Sequence, residues 1–136
     1  ELIKKNINVE YTSKEGEFVT LDTRASKGKD PKNTFFISIH LEADDNPAVH
    51  GQSIIISNKA ESKTSADLAQ VLALKMKPLG AVKMIQKDLT ILRGNTIPSL
   101  VFSPGYMSNI SDLNLLTSSA YQQRVAIMIA QALTGN

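Results

Sequence analysis

The sequence contains no cysteine, which excludes disulfide bonds and thiolate metal sites, although this absence does not choose a redox compartment. It has no tryptophan and only three tyrosines and four phenylalanines, too few to predict a stacking platform for single-stranded nucleic acid. Basic and acidic residues nearly balance, at 15 against 13, and no basic run exceeds Lys4–Lys5. We therefore expect no nucleic-acid partner. No apolar stretch approaches the length of a transmembrane helix, so none is expected in this chain.

The length of the chain favours one domain. Its 136 residues suit a single compact unit, and an apolar content of 42% is enough for an ordinary core. The chain opens on Glu1 rather than Met, and Glu1–Asn6 is predicted to be the last turn of a helix. We find no signal peptide and expect a processed piece whose targeting information lies upstream. Residues 1–136 are thus predicted to form one domain.

Short β-branched runs alternate with longer stretches of helical periodicity. The predicted strands are Ile7–Thr12, Thr34–His40, Ser53–Ser57, Leu89–Leu92 and Ser99–Phe102. Thr34–His40 and Ser99–Phe102 are the most continuously apolar of these runs. Burial on two faces explains such runs, so both are predicted to be central strands.

Three helices are predicted from apolar stripes and from residues that favour helix ends. They are Leu21–Lys27, Lys63–Lys77 and Ser119–Leu133. Thr64 with Asp67, and Ser119 with Gln122, have the spacing of capping boxes. Strands that alternate with helices predict an α/β fold with a mostly parallel sheet sandwiched by helices. The long connections Leu41–Gln52 and Pro104–Leu116 both leave carboxyl ends of strands, so we expect them to form one rim where ligands bind.

Four stretches follow one another in a distinctive order. They are Phe18–Ala25, a buried strand that ends in histidine at Phe35–His40, a short strand at Asp88–Arg93, and the segment Ile97–Asn109. The last runs through a proline, an apolar strand, a serine, Pro-Gly, a tyrosine and a Ser-Asn pair, and a polar turn and the closing helix follow it. In order and spacing, the four stretches together resemble the zinc-dependent N-acetylmuramoyl-L-alanine amidases of bacterial cell-wall turnover.

The resemblance implies a fold and a location. The fold would be that of the zinc-dependent amidases and exopeptidases, here lacking the family's first strand and most of its first helix. The location would be extracytoplasmic or associated with the cell envelope. In such enzymes three protein ligands hold zinc, a water occupies the open position, and a carboxylate beside it takes the proton from that water.

Matched residue by residue, this sequence has few of the zinc ligands and catalytic groups that the family uses. His40 matches the family's second histidine ligand. Ser103 stands where the family has its catalytic glutamate, and the other two zinc ligands would lie upstream of Glu1. A serine hydroxyl is too weak a base to replace the carboxylate. We therefore assign no catalytic residue and expect no cofactor in this chain, although the family uses zinc. The candidate ligand-binding residues are His40, Ser103 and Arg93.

Several of these residues have simpler interpretations. His40 is equally the kind of histidine that ends a strand and bonds a neighbour. A makeshift metal site is conceivable in the loop after it, although a loop rich in Asp and Asn is usually only solvated; its members would be His40, His50, Glu42, Asp44 and Asp45. Ser103 lacks the context of a serine nucleophile and fits a strand that runs into a turn. Arg93 and Arg24 could bind an anion or pair with a local carboxylate.

Three functions remain open at this point. The first is a degenerate, non-catalytic amidase-like domain that binds a muropeptide, peptidoglycan or a protein partner. The second is an active zinc amidase whose remaining ligands lie upstream. The third is a structural or regulatory interaction module of a larger envelope protein. One scaffold hosts many functions, so the fold alone does not decide among them.

Overall fold

The computed structural model describes residues 1–59 and 63–135 as a four-stranded sheet with helices packed against it. The strands are β1 (Phe36–Ile39), β2 (Gln52–Ile56), β3 (Val82–Gln86) and β4 (Ser99–Ser103). The α-helices are α1 (Leu21–Ser26), α2 (Lys63–Met76), α3 (Ile110–Leu116) and α4 (Ser119–Thr134). Short 3-10 helices lie at Ile3–Lys5, Lys27–Lys29, Lys77–Leu79 and Thr90–Leu92.

The sheet has the order β1-β4-β2-β3. Strand β1 pairs with β4, and β2 with β3, in parallel, whereas β2 and β4 are antiparallel. The α/β class and the mostly parallel sheet are thereby confirmed. The single antiparallel pairing places the start of β2 beside the end of β4.

The two faces of the sheet are covered differently. Helices α2 and α4 cover one face, where their apolar stripes meet alternate residues of β2 and β4; this core includes Ile54, Ile56, Leu68, Leu72, Met76, Leu100, Phe102, Val125 and Ile129. On the other face, Ile55 and Val101 pack against Leu92 of the 3-10 helix Thr90–Leu92. Helix α1 contacts that 3-10 helix. The apolar side chains on both faces explain why β2 and β4 are buried throughout.

Two predicted strands are wrong. The predicted strand Leu89–Leu92 is instead an extended Leu89 followed by the 3-10 helix Thr90–Leu92, because its leucines and isoleucine pack onto a face of the sheet and not into a ladder. Ile7–Thr12 has no strand structure, and no strand among residues 1–59 and 63–135 pairs with it. Strand β3 is not among the predicted strands. Its burial is partial and uneven, which is typical of a strand at the edge of a sheet and gives a weaker apolar signal.

The prediction of two central strands holds for β4 only. Strand β4 has a neighbour on each side and is buried at every position, whereas β1 lies at an edge of the sheet. In β1, Phe36 is buried but Ile39 is 61% exposed. An apolar run on two faces therefore did not require a strand on both sides.

The helices lie close to their predicted positions, but two caps differ. Ser118, not Ser119, caps α4: its hydroxyl oxygen accepts the N–H of Tyr121 at 3.5 Å. Gly135 ends that helix with φ 71°, in the left-handed region that glycine adopts readily. Thr64 lies inside α2 and is not its cap. The segment 60–62 before it lies outside the described residues.

Candidate site at the carboxyl-end rim

The carboxyl ends of β1 and β4 lie side by side. The N–H of His40 donates to the carbonyl of Phe102 at 3.0 Å and extends the parallel ladder beyond Ile39. The same register places residue 40 opposite Ser103. The structure thus brings the backbones of His40 and Ser103 together at one rim.

The two long connections are tied to each other above these strand ends. The main chain of Glu42 makes two of these bonds. Its N–H donates to the carbonyl of Gly105 at 3.1 Å, and its carbonyl accepts the N–H of Met107 at 2.7 Å. The N–H of Asp44 donates to the hydroxyl oxygen of Ser108 at 3.0 Å. The second connection contains α3, so it is more ordered than a simple loop. The prediction that both connections form one rim is confirmed.

Asp112, which is not among the candidate residues from the sequence, links three segments of this rim. One carboxylate oxygen, Oδ2, accepts the N–H of Gly51 at 2.8 Å and the N–H of Tyr106 at 2.9 Å. The residue is buried. A Cβ at Gly105 would lie 3.1 Å from the same carboxylate, so the close approach favours glycine there. The available signal was the spacing of Asn109 and Asp112 at the start of α3, where Asn109 is the cap.

His40 is open to solvent. Its side chain is 61% exposed, and its Nδ1 lies 3.5 Å from Oε1 of Glu42. This separation is longer than an ordinary hydrogen bond, and it becomes an ion pair only when the imidazole is protonated. The contact supports the simple interpretation of a strand-end histidine beside a neighbouring carboxylate.

Ser103 is fully buried beneath the rim. Its hydroxyl donates to the carbonyl of Gly105 at 3.1 Å, which closes the turn that follows β4. A hydroxyl in this position is inaccessible to a substrate and already engaged. The geometry therefore supports the strand-to-turn interpretation and gives no support to a nucleophile.

The rim carries negative charge. Burial, and then the carboxylates of Glu42, Asp44 and Asp112, raise the pKa of the Tyr106 phenol above its ordinary value. The acidic groups thus lie close enough to Tyr106 to disfavour a further negative charge.

Arg93 lies away from His40 and Ser103. It follows β3, which runs antiparallel to β4, and so belongs to the opposite end of the sheet. Its guanidinium binds both oxygens of Asp88, at 3.1 and 3.2 Å, and lowers the pKa of that carboxyl group. Arg24 donates Nε–H to the carbonyl of Val19 at 3.0 Å. Each arginine therefore serves local structure.

Comparison with known proteins identifies the family. The sequence model of the N-acetylmuramoyl-L-alanine amidases matches residues 1–135. The chain belongs to that family. Among its relatives is the probable cell wall amidase LytH of Staphylococcus epidermidis, 31% identical over 97% of this chain and 43% of the relative. The amidase AmiC of Neisseria meningitidis is 22% identical over 90% of this chain and 40% of its own length. The chain thus spans less than half the length of these two relatives.

Solved amidase structures share the fold. The catalytic domain of CwlV, an N-acetylmuramoyl-L-alanine amidase from Bacillus (Paenibacillus) polymyxa, superposes with a TM-score of 0.87 at 23% identity, over 98% of this chain and 75% of that one. AmiC2 of Nostoc punctiforme gives 0.86 at 24% identity, over 98% and 74%. At these identities the likeness establishes the architecture alone.

The described residues of this amidase-family chain do not fit a zinc ion. Across residues 1–59 and 63–135, no three His, Cys, Asp or Glu side chains are grouped so that they could hold a metal. His40 and Glu42 form a pair without a third ligand, and His50 is exposed in the same connection.

Among the helices within residues 1–59 and 63–135, none is both long and apolar enough to cross a membrane.

Proposed function

We propose that this chain is a degenerate amidase domain, which binds peptidoglycan fragments or a protein partner at the rim and does not hydrolyse the amide. The observation that carries the proposal is Ser103. The family resemblance calls for a carboxylate at this strand end, and here there is a buried hydroxyl that donates to Gly105. Losing a positioned general base costs roughly 10²–10⁴-fold in rate.

The zinc ligands support the same conclusion. His40 alone stands at a position matched to a family ligand, and catalytic zinc requires three. Even a complete ligand set, supplied from elsewhere in a longer protein, would leave the family's base at position 103 absent. The substitution at Ser103 is therefore the stronger argument against hydrolysis.

The rim retains features suited to binding. His40 is exposed, and main-chain bonds hold the two connections together around it. A muropeptide offers amide and amine N–H groups, and the carboxylates of acidic residues such as Glu42 and Asp44 would accept hydrogen bonds from them. Arg93, proposed from the sequence as a third contact, is bound to Asp88 at the other end of the sheet and is not needed here. A relative named as a cell wall amidase is consistent with a place in the cell envelope.

One observation favours the competing proposal of an active enzyme. Oε1 of Glu42 lies 3.5 Å from His40, so a carboxylate is present at the rim even though residue 103 is not one. In an active enzyme, Glu42 would serve as the general base, and the rest of the protein would contribute the missing metal ligands.

The test uses the full-length protein, purified peptidoglycan and muropeptides, with and without added zinc. Release of peptide with a free L-alanine amine is followed by chromatography. We expect no release from the wild type, and a gain on Ser103→Glu that Ser103→Ala does not share, provided that Pro104 and Phe102 leave room for the longer side chain. Hydrolysis by the wild type at an ordinary enzymatic rate, abolished by Glu42→Gln, would replace our proposal with the active enzyme.

A further inference from the structure

Strand β3 lies at an edge of the sheet and exposes main-chain groups. The N–H of Lys87, directly after the strand, donates to the carbonyl of Ile56 in β2 at 3.0 Å. Main-chain groups alternate sides along a strand, so the N–H groups of Met84 and Gln86 point away from β2. Within residues 1–59 and 63–135, no strand pairs with this side. The edge can therefore accept an additional strand.

An apolar groove runs beside this edge, between α2 and β3. Met84 pairs in register with Ile54, which is part of the core beneath α2, so Met84 lies on the same face as that helix. The groove has a volume of about 450 Å³ and is lined by Gln70, Ala73, Leu74, Lys77, Val82 and Met84. Leu74 is 71% exposed and Met84 is 43% exposed. Alternate side chains of an added strand would point into this groove.

Lysines lie on both faces of this edge. Lys77 lines the groove, whereas Lys83 on β3 and Lys87 after it are exposed on the opposite face of the sheet, because side chains alternate along the strand. None of the lining residues carries a carboxylate. A second copy of the chain docked edge to edge would bring the same lysines together, and lysine on an edge strand is a common device against such self-pairing. An acidic strand is attracted by the same charges.

We infer that the β3 edge and its groove bind an extended acidic segment of a partner protein. The segment adds to the sheet beside β3 through main-chain hydrogen bonds. One of its apolar side chains fills the groove over Met84 and Leu74, a carboxylate on the same face pairs with Lys77, and a carboxylate on the opposite face pairs with Lys83. This surface is separate from the His40 rim, and the inference holds whether or not the chain hydrolyses an amide.

An anionic glycopolymer is the competing occupant. It would satisfy the lysines, but it has no regularly spaced peptide groups to pair with the edge and no apolar side chain for the groove. The combination of a free edge, an apolar groove on one face and lysines on both faces therefore favours a peptide, whose side chains also alternate between faces.

The experiment selects peptides from a displayed library of short random sequences on the full-length protein. Enriched peptides are expected to alternate apolar and acidic residues. Binding of one such peptide, followed by fluorescence anisotropy, should weaken about tenfold or more in Met84→Asp and in Lys77→Glu/Lys83→Glu, as for the loss of an anchor or a close charge pair. Hydrogen exchange should show new protection of the amides of Met84 and Gln86.

Met107→Asp is the matched control, because Met107 is 47% exposed, follows β4 and does not line the groove; it should leave the affinity within about twofold, as for a surface change away from the site. If Met84→Asp proves poorly folded by circular dichroism, Leu74→Asp replaces it. Failure to enrich any peptide, or enrichment of peptides without acidic residues, would overturn the inference. So would binding of polyphosphate that competes with the peptide and depends on the lysines but not on Met84.

Discussion

Strands β1 and β4 have similar sequences and different environments. Both are short apolar runs beside each other in the same parallel ladder. Strand β4 is buried from end to end between β1 and β2, whereas β1 has one strand neighbour and exposes Ile39. The difference shows that the apolar content of a strand indicates whether other elements pack on its two faces. Its place in the sheet depends instead on which segments pair with its edges.

The difference extends to the residues that follow the two strands. The chain after β4 is held by buried partners: Ser103 binds Gly105, Asp112 binds Tyr106, and the hydroxyl of Tyr121 donates to the carbonyl of Pro104 at 2.9 Å. After β1, the side chain of His40 is exposed beside Glu42. We therefore expect changes at the β4 end to affect stability and changes at the β1 end to affect mainly the surface.

Truncation within the two strands should show the largest contrast. Phe102→Ala removes a fully buried ring from the core and should lower the free energy of unfolding by about 3–5 kcal/mol. Ile39→Ala, in the exposed part of β1, should cost less than about 1 kcal/mol. Urea unfolding measures both. Equal losses would mean that β1 is covered in solution and would break the comparison.

Asp112→Ala should have the next largest effect. It leaves the part-buried N–H groups of Gly51 and Tyr106 without their acceptor, at a cost of about 2–3 kcal/mol for the two bonds together. Asp45→Ala, an exposed carboxylate of the same rim, is the control and should change stability by less than about 0.5 kcal/mol. A similar small change for both would show that Asp112 does not hold the rim together.

Tyr121→Phe tests the bond from α4 to the end of β4. Losing the hydroxyl that donates to Pro104 should cost about 1 kcal/mol near neutral pH. Burial, with a smaller contribution from Asp112, raises the pKa of this phenol in the folded state. The folded protein therefore holds the proton more tightly than the unfolded chain, and stability should fall as the pH rises from the ordinary value of about 10 through the raised one. Urea unfolding across this alkaline range should show a smaller decline in Tyr121→Phe; an unchanged decline would place the phenol in solvent.

The cap of α4 should give the smallest effect. Ser118→Ala removes the hydroxyl that accepts the N–H of Tyr121 and should cost about 0.5–1 kcal/mol, toward the lower figure because the bond is long. Ser119→Ala, one residue later, should be nearly neutral. Thermal unfolding of the two variants distinguishes the observed cap from the one that the spacing of Ser119 and Gln122 predicted.

Much of the candidate site followed from local patterns. His40 and Ser103 each follow an apolar run, and two parallel strands place such residues at one rim. The sequence did not reveal that Ser103 would be buried or that Asp112 would bind across the rim. The bonds that hold the rim together, such as Gly51 to Asp112 and Asp44 to Ser108, join residues about 60 positions apart in the sequence. Such long-range contacts leave no periodic signal.

The sequence by itself determined the family, the α/β class and the positions of α2 and α4, because ordered motifs and helical stripes are written into neighbouring residues. It also placed a serine, a much weaker base than a carboxylate, at position 103 where the family has its glutamate. Only the tertiary structure decided that β1 lies at an edge, that Val82–Gln86 pairs with β2 while Leu89–Leu92 does not, and that Arg93 lies far from His40. The physical reason is that strand neighbours are chosen by long-range pairing, and the antiparallel contact between β2 and β4 places the end of β3, with Arg93 after it, at the end of the sheet opposite the rim.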